Sequence, residues 1–146
     1  LFSFWSVLKF FLENDFDYVS NNIERTFPDG LDVEIFTFTA LEKAFSGATW
    51  LSEREHVTPY IIKNPKIFKI FSYTNDENLS HFRWCLDEES DYKMLQKIFQ
   101  EFEPNNLFST KDILELLEKK PDISKINYGI TTNQGYINSL KKDKKI

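Results

Sequence analysis

A strand-type segment followed directly by a helix-start signal is the feature that most constrains this chain. Residues 32–37 follow a Pro-Asp-Gly turn and alternate polar with apolar side chains, which predicts a β-strand. Thr39 and Glu42 have the spacing of a capping box, in which each side chain satisfies the other's backbone amide, and they predict a helix to about Ser46. Strand then helix is the order found in α/β folds, so we predict that class.

Other segments of the chain carry signals of the same two kinds. A second capping box begins at Ser52, and Pro59 should interrupt the helix that follows because proline removes a backbone donor. A further helix-start signal is found at Ser109. The remaining patterns predict helices over residues 1–13 and around 92–102, strands over 17–21, 66–73 and 82–86, and a short helix in the C-terminal tail.

The composition describes an ordinary globular chain. Its 146 residues suit one domain, and 15 Phe, 6 Tyr and 3 Trp supply ring surface for a packed core. A net charge of -5 argues against a general nucleic-acid binder. Cys85 is the only cysteine, which excludes an intrachain disulfide and suits a reducing cytoplasm. The apolar N-terminal run is too short to span a bilayer, so it predicts a buried helix and no membrane partner.

Several familiar catalytic sites are excluded because their motifs are missing. The sequence has no GxGxxG, GxxxxGK[ST], GxSxG or HExxH, which removes the usual dinucleotide, P-loop, serine-hydrolase and zincin sites. The candidates that remain are carboxylates and one polar triplet. Asp32 and Glu34 share a face of the predicted strand, where they either form the rim of a pocket or simply face solvent.

Asp87 is the first of the isolated candidates. It follows the predicted strand at 82–86, and open α/β sheets bind ligands at the carboxyl ends of their strands. A carboxylate in that position is able to hold Mg²⁺ beside a phosphate, since this ion takes only one or two protein oxygens. Alternatively, Asp87 is the N-cap of the helix that follows, and the two roles are compatible.

Arg54, Glu55 and His56 form the polar triplet, close in sequence to Tyr60. A cleft at this place would bind the carboxylate or hydroxyls of a sugar, with the arginine fork gripping the carboxylate in a bidentate manner. The alternative is an ordinary solvated helix face. The sequence leaves both interpretations open.

Four separated blocks resemble one known family. They are ERTFPDGLDVE at 24–34, SEREHVTPY at 52–60, RWCLD at 83–87 and NQGYINSL at 133–140. In this order they resemble the cytidylyltransferase-like family of spore-coat polysaccharide biosynthesis proteins, which are related to the acylneuraminate cytidylyltransferases. The resemblance runs through nearly the whole chain.

The resemblance implies a fold and an activity. The fold would be the C-terminal part of a Rossmann-like nucleotide-diphospho-sugar transferase over residues 1–103, with a helical C-terminal extension over 104–146. The activity would be a cytoplasmic, Mg²⁺-dependent transfer that joins CTP and a sugar into a CMP-sugar and pyrophosphate for surface polysaccharides, and relatives are often homodimers. The resemblance implies that Asp87 binds the metal and that the acceptor-sugar side contains Arg25, Asp29, Asp32, Arg54, Glu55 and His56.

The sequence departs from that family at its start. The family begins with a strand and a basic, glycine-containing loop that holds the nucleotide, and this sequence contains neither. We therefore expect a fragment of an active enzyme that is inactive in isolation, with sequence missing upstream. The alternative is a non-catalytic interaction or dimerisation module derived from the fold. In either case a surface with Phe2, Trp5 and Phe11 is expected to be exposed and to promote self-association.

Overall fold

The computed structural model describes residues 4–105 and 107–146, and these form a mixed α/β structure. The predicted α/β class is therefore confirmed. Short strands and longer helices alternate in the first half of the chain, and helices follow in the second half. In chain order the elements are α1 (Phe4–Glu13), β1 (Tyr18–Ser20), β2 (Glu34–Phe36), α2 (Phe38–Gly47), α3 (Leu51–His56), α4 (Pro59–Lys63), β3 (Ile70–Ser72), α5 (Glu89–Phe102), α6 (Thr110–Lys119) and α7 (Gln134–Lys141).

The chain divides into two compact units. The sheet unit consists of Phe4–Glu24, Val33–Thr74 and Thr131–Ile146, and the helical unit contains Arg25–Asp32 and Asn75–Ile130. These units interleave along the sequence because the chain leaves the sheet unit after β1 and returns to it at β2. The separate expectation of a domain over 1–103 with an extension over 104–146 stays a prediction.

The sheet unit is built on a three-stranded sheet in the order β2-β1-β3. Strand β1 pairs antiparallel with β2 and parallel with β3, and Tyr18 lies opposite Phe36 on one side and Ile70 on the other. The strands are three residues each, shorter than predicted, although all three lie inside the predicted segments. The core beneath the sheet is formed by Tyr18, Ala40, Ala44, Ile61 and Phe68.

Two predicted helix starts are wrong by a few residues. Helix α2 is capped by Thr37, whose Oγ1 accepts from the amide of Ala40 at 3.0 Å, and not by Thr39. Helix α3 begins at Leu51, because the Glu53 carboxylate accepts from the amide of Trp50 at 3.3 Å. Ser52 lies inside that helix, with its hydroxyl donating to Asp143 at 2.7 Å. At α2 the error arises because Thr37 and Thr39 have equally good capping chemistry, and at α3 because the Glu53 carboxylate satisfies the amides of Thr49 and Trp50 without a capping side chain at the N-cap.

The predicted interruption at Pro59 is confirmed. Helix α3 ends at His56 and α4 starts with Pro59 at its first position, where a missing amide hydrogen costs nothing. Between them Val57 has φ 65° and ψ -63°, and the Thr58 amide donates to the His56 carbonyl at 2.8 Å. This is a tight three-residue turn in a region that branched side chains rarely adopt.

Helix α1 leaves several large apolar side chains exposed to solvent. Val7 is fully buried, but Trp5 is 72% exposed and Leu12 is 73% exposed. The prediction that this helix is buried on more than one face is therefore wrong for the described residues, while Phe2 lies outside them. None of the helices within 4–105 and 107–146 has both the length and the apolarity needed to cross a bilayer.

The helical unit packs α5 against α6 around Met94, Ile98, Leu117 and Ile123. Ser109 caps α6 as predicted, since its hydroxyl accepts from the Asp112 amide at 3.3 Å. The predicted strand at 82–86 is wrong.

Only an isolated parallel bridge between Asp29 and Arg83 forms near residues 82–86, with the Trp84 amide donating to the Asp29 carbonyl at 2.7 Å. A longer strand pairing between residues 82–86 and the Pro-Asp-Gly turn does not form, because the chain leaves the extended conformation at Gly30, where φ is 104°. The apolar side chains that suggested a strand, Phe82 and Trp84, pack on the helical core instead.

Candidate functional site

A pocket of about 310 Å³ with both polar and apolar lining lies within the sheet unit. Strand β2 contributes one carboxylate to its wall, the end of α3 contributes an imidazole, the turn after it contributes a hydroxyl, and α7 contributes an aromatic ring. The size falls at the lower end of small-molecule sites, which suits one small ligand. The lining residues are Asn22, Glu34, His56, Thr58, Pro59, Ile62, Lys63, Asn133 and Tyr136.

Glu34 is the centre of the hydrogen bonding in this pocket. Its Oε1 accepts from the Tyr18 hydroxyl at 2.5 Å, from Thr58 Oγ1 at 3.0 Å and from Asn22 Nδ2 at 3.4 Å. Burial, and then the hydrogen bond to the Glu34 carboxylate, raise the pKa of Tyr18 far above its usual range, so this phenol stays a donor. The arrangement fixes one carboxylate oxygen and aligns the group with the pocket.

His56 reaches the same pocket from the end of α3. Its Nε2 lies 2.9 Å from Ser139 Oγ, and that hydroxyl donates to Glu55 Oε2 at 2.7 Å. Because the single hydroxyl proton of Ser139 is used as a donor, the Nε2 atom of His56 carries the proton in the contact between them. The ring of His56 also meets the Tyr136 ring edge-on at 5.1 Å. Two members of the predicted triplet thus meet helix α7.

Arg54, the third member of the triplet, lies apart from this pocket. Its guanidinium carbon is 4.3 Å from the centre of the Phe45 ring, a cation–π contact. Its Nε is buried, and among the described residues it has no hydrogen-bond partner. Arg54 lines a separate cavity of about 120 Å³, together with Leu41, Ala44, Phe45, Ala48, Glu53 and Val57.

Arg83 organises the second group of candidate residues, within the helical unit. Its guanidinium binds Asp29 at 3.0 Å, Asp87 at 3.1 Å and Asp91 at 2.9 and 3.0 Å. Asn127 donates to Asp91 at 2.8 Å. Burial by itself would raise the pKa of Asp91, but these donors and two backbone amides outweigh it and hold that pKa well below the usual range.

Arg25 extends the same network. Its two terminal nitrogens bind the two carboxylate oxygens of Asp32 at 3.2 and 3.0 Å, and one of them also reaches Asp29 at 3.3 Å. The structure therefore brings Arg25, Asp29, Asp32 and Asp87 together, as ion pairs around two arginines.

Asp87 fits a divalent cation only as a single ligand. Its side chain is 71% exposed, but one oxygen already pairs with Arg83, and the neighbouring Asp29 and Asp91 are hydrogen-bonded to the same arginine. Across 4–105 and 107–146, no group of three or more His, Cys, Asp or Glu side chains is arranged to hold a metal. The assignment of Asp87 to Mg²⁺ stays a prediction.

Cys85 lies beside this network and is a poor nucleophile. Burial, and then the negative charge of Asp29, raise the pKa of its thiol to about 11. Reactive cysteines need a lowered pKa, so this thiol has the opposite environment.

Sequence reasoning missed several residues of both groups. Tyr18, Thr58 and Tyr136 reach the pocket from positions far apart along the chain, so no local pattern joined them to Glu34. Asp91 lies in the first turn of α5, where an acidic side chain usually faces solvent and complements the helix dipole, yet it is fully buried. The available signal was membership of the resembling blocks: Thr58 and Tyr136 stand in those at 52–60 and 133–140, and Arg83 stands four residues before Asp87 in RWCLD.

Two comparisons with known proteins bear on this geometry. The chain is 35% identical to a cytidylyltransferase from Leptospira borgpetersenii serovar Hardjo-bovis (strain JB197), with a TM-score of 0.78 over 86% of this chain and 53% of that one. It is also 38% identical over 125 residues to an uncharacterized protein from Methanocaldococcus jannaschii, covering 84% of this chain and 50% of that protein. The chain thus spans about half the length of both. No protein-family model matches it.

Proposed function

We propose that this chain is the acceptor-binding part of a nucleotidyltransferase, a cytidylyltransferase that joins CTP and a sugar or sugar acid into a CMP-sugar with release of pyrophosphate. The main support is its 35% identity and TM-score of 0.78 to the Leptospira cytidylyltransferase. The chain spans 53% of that neighbour and contains no basic, glycine-containing nucleotide loop, so the proposal assigns it the acceptor side of the reaction and not the binding of CTP. The proposed setting is cytoplasmic synthesis of surface polysaccharides.

The pocket of the sheet unit is the proposed acceptor site. His56 presents its imidazole on the wall, and Glu55 supports it through the shared Ser139 hydroxyl. A sugar offers hydroxyls that both donate and accept, which matches a wall with a carboxylate, an imidazole and an ammonium group. Such a wall would contribute to catalysis mainly by aligning a sugar oxygen with the α-phosphorus.

The other predicted site residues are supported to different degrees. Arg25, Asp29 and Asp32 stay predictions for the acceptor side, and their mutual ion pairs would present a preformed polar surface. Arg54 is the weakest candidate, because it packs on Phe45. Asp87 would hold Mg²⁺ together with phosphate oxygens of the nucleotide, and the ion would neutralise charge on those phosphates.

The test measures pyrophosphate release from CTP by the natural protein that carries this sequence, with a panel of neutral and acidic sugars. His56→Ala should raise the KM for the sugar about tenfold while changing kcat little, as expected for a group that binds the acceptor. The matched control is His81→Ala, since His81 is the other histidine and is exposed in the helical unit. Absence of pyrophosphate release with every sugar would refute the proposed reaction.

Self-association is the second candidate function, and the exposed apolar side chains of α1 favour it. Phe4, Trp5 and Leu12 are all exposed on this helix. An apolar surface of this kind commonly marks an interface, and a second copy of the chain is the proposed partner. Light scattering should show a dimer that Trp5→Glu dissociates and that Lys43→Glu, at an exposed lysine on α2, leaves intact. A monomer at high concentration would exclude this role.

A further inference from the structure

We propose that Glu34 binds a ligand hydroxyl in the pocket of the sheet unit, and that Tyr18 and Thr58 are positioning residues that hold its carboxylate in place. This inference deepens the proposed function and rests on it in taking the ligand to be a sugar. The sequence made Asp29 and Asp32 stronger candidates than Glu34 for binding the sugar, and the inference reverses that ranking.

The distribution of hydrogen bonds over the two carboxylate oxygens is the first argument. All of the hydrogen bonds that described residues make to the Glu34 carboxylate go to Oε1, from Tyr18, Thr58 and Asn22. An ionised carboxylate has about four acceptor sites on its two oxygens. The protein therefore occupies one oxygen and leaves Oε2 as an acceptor on the pocket wall.

The rigidity of the two strongest donors is the second argument. Tyr18 is fully buried in the central strand and stacks with the Phe36 ring at 6.5 Å between ring centres. Thr58 is also buried, and it follows the strained Val57 turn that fixes its direction. Donors held in this way keep the carboxylate oriented before a ligand arrives, which reduces the ordering cost of binding.

The rest of the wall indicates the class of ligand. The Tyr136 ring and the apolar Ile62 offer a surface for the carbon face of a sugar, while Lys63 and Asn133 add polar groups. A carboxylate with one oxygen open favours a hydroxyl donor over a group that only accepts. The pocket thus suits a small polyhydroxylated ring, with Glu34 accepting from one of its hydroxyls.

The test is saturation-transfer NMR on the natural protein that carries this sequence, with D-glucose and D-glucuronate as probes, which separates a neutral ring from one with a carboxylate. Glu34→Gln should weaken binding about tenfold, because it removes a charge-assisted hydrogen bond. Tyr18→Phe keeps the ring and loses only the hydroxyl, and it should weaken binding severalfold. Thr58→Val should have a similar effect, whereas Thr58→Ser should restore natural affinity, which a purely structural loss would not predict.

The outcomes separate this inference from the proposed reaction. Binding that depends on Glu34, without pyrophosphate release from CTP, supports the inference and refutes the reaction. Pyrophosphate release with unchanged sugar KM in Glu34→Gln refutes the inference and leaves the reaction standing. Failure of both probes to bind overturns the assignment of a sugar to this pocket. Should Tyr18→Phe lose its fold, the Thr58→Val and Thr58→Ser pair decides the matter.

Discussion

Asp91 accepts two hydrogen bonds from the Arg83 guanidinium, at 3.0 Å from Nε and 2.9 Å from Nη2, and its side chain is fully buried. Asp91 also accepts from the amides of Asp87 and Glu88 at 3.1 and 3.0 Å. One carboxylate therefore ties the start of α5 to the segment that precedes it. This relationship makes the pair a stabilising element of the helical unit.

Removal of one partner of this pair should destabilise the protein strongly. We expect Asp91→Ala to lower the free energy of unfolding by about 3 kcal/mol, because Arg83 Nε and the amides of Asp87 and Glu88 lose the buried carboxylate that accepts their hydrogen bonds. Urea unfolding followed by circular dichroism measures the change. Glu89→Ala is the control, because Glu89 lies in the same helical turn but is exposed, and it should leave the free energy of unfolding nearly unchanged. Equal effects of the two substitutions would contradict the assignment.

The pH dependence of stability should report the same carboxylate. Its pKa in the folded protein lies far below the value of about 3.9 expected when unfolded. A lowered pKa contributes stability that is present above the unfolded pKa and is lost as the pH falls through it towards the folded pKa. Unfolding free energy should therefore fall more steeply below about pH 4 in the natural protein than in Asp91→Asn. Parallel curves would show that other acids cause the loss.

Gly30 should not tolerate a side chain. A Cβ at this position would lie 2.7 Å from the backbone carbon of Trp84 and 2.9 Å from the amide of Cys85, and φ is 104°. Gly30→Ala should cost about 3 kcal/mol, from the positive φ and the clash together. Gly129→Ala is a matched control because Gly129 also has a positive φ, of 86°, but open space around it. A larger cost at Gly129 would contradict the close approach.

The protein should be more stable with glycine than with valine at position 57. Its positive φ costs on the order of 1–3 kcal/mol for a non-glycine residue, whereas glycine adds about 1 kcal/mol of chain entropy. The side chain is partly exposed, so little packing is lost. We expect Val57→Gly to raise the free energy of unfolding by about 1 kcal/mol in thermal or urea unfolding. Val57→Ala keeps a Cβ and should gain less, and a net loss for glycine would exclude strain at this turn.

Cys85 should react slowly with iodoacetamide in the folded protein. Since burial, and then Asp29, raise its pKa from 9.0 to about 11, the thiolate fraction at pH 8 falls roughly 100-fold. Mass spectrometry of the time course measures the rate, and the urea-unfolded protein provides the reference for an ordinary thiol. Rapid alkylation of the folded protein would refute the raised pKa.

The sequence predicted best those features that depend on a few neighbouring residues. The start of α6 at Ser109 and the break at Pro59 were correct because their hydrogen bonds span only three or four positions. The strand at 82–86 failed for the opposite reason, since a strand forms only where another extended segment lies beside it. Phe82 and Trp84 gave the right apolar pattern, but they pack on helices.

The sequence alone determined the α/β class, the turn at Gly30 and the nearness of His56 to a helix break, because backbone preferences and local capping act within a few residues. Only the tertiary structure decided that Glu34 receives the Tyr18 hydroxyl from 16 residues earlier and the Thr58 hydroxyl from 24 residues later. Pairing of strands and packing of helices set those distances. The role of a carboxylate depends on such neighbours, because they determine which of its oxygens remains open to a ligand.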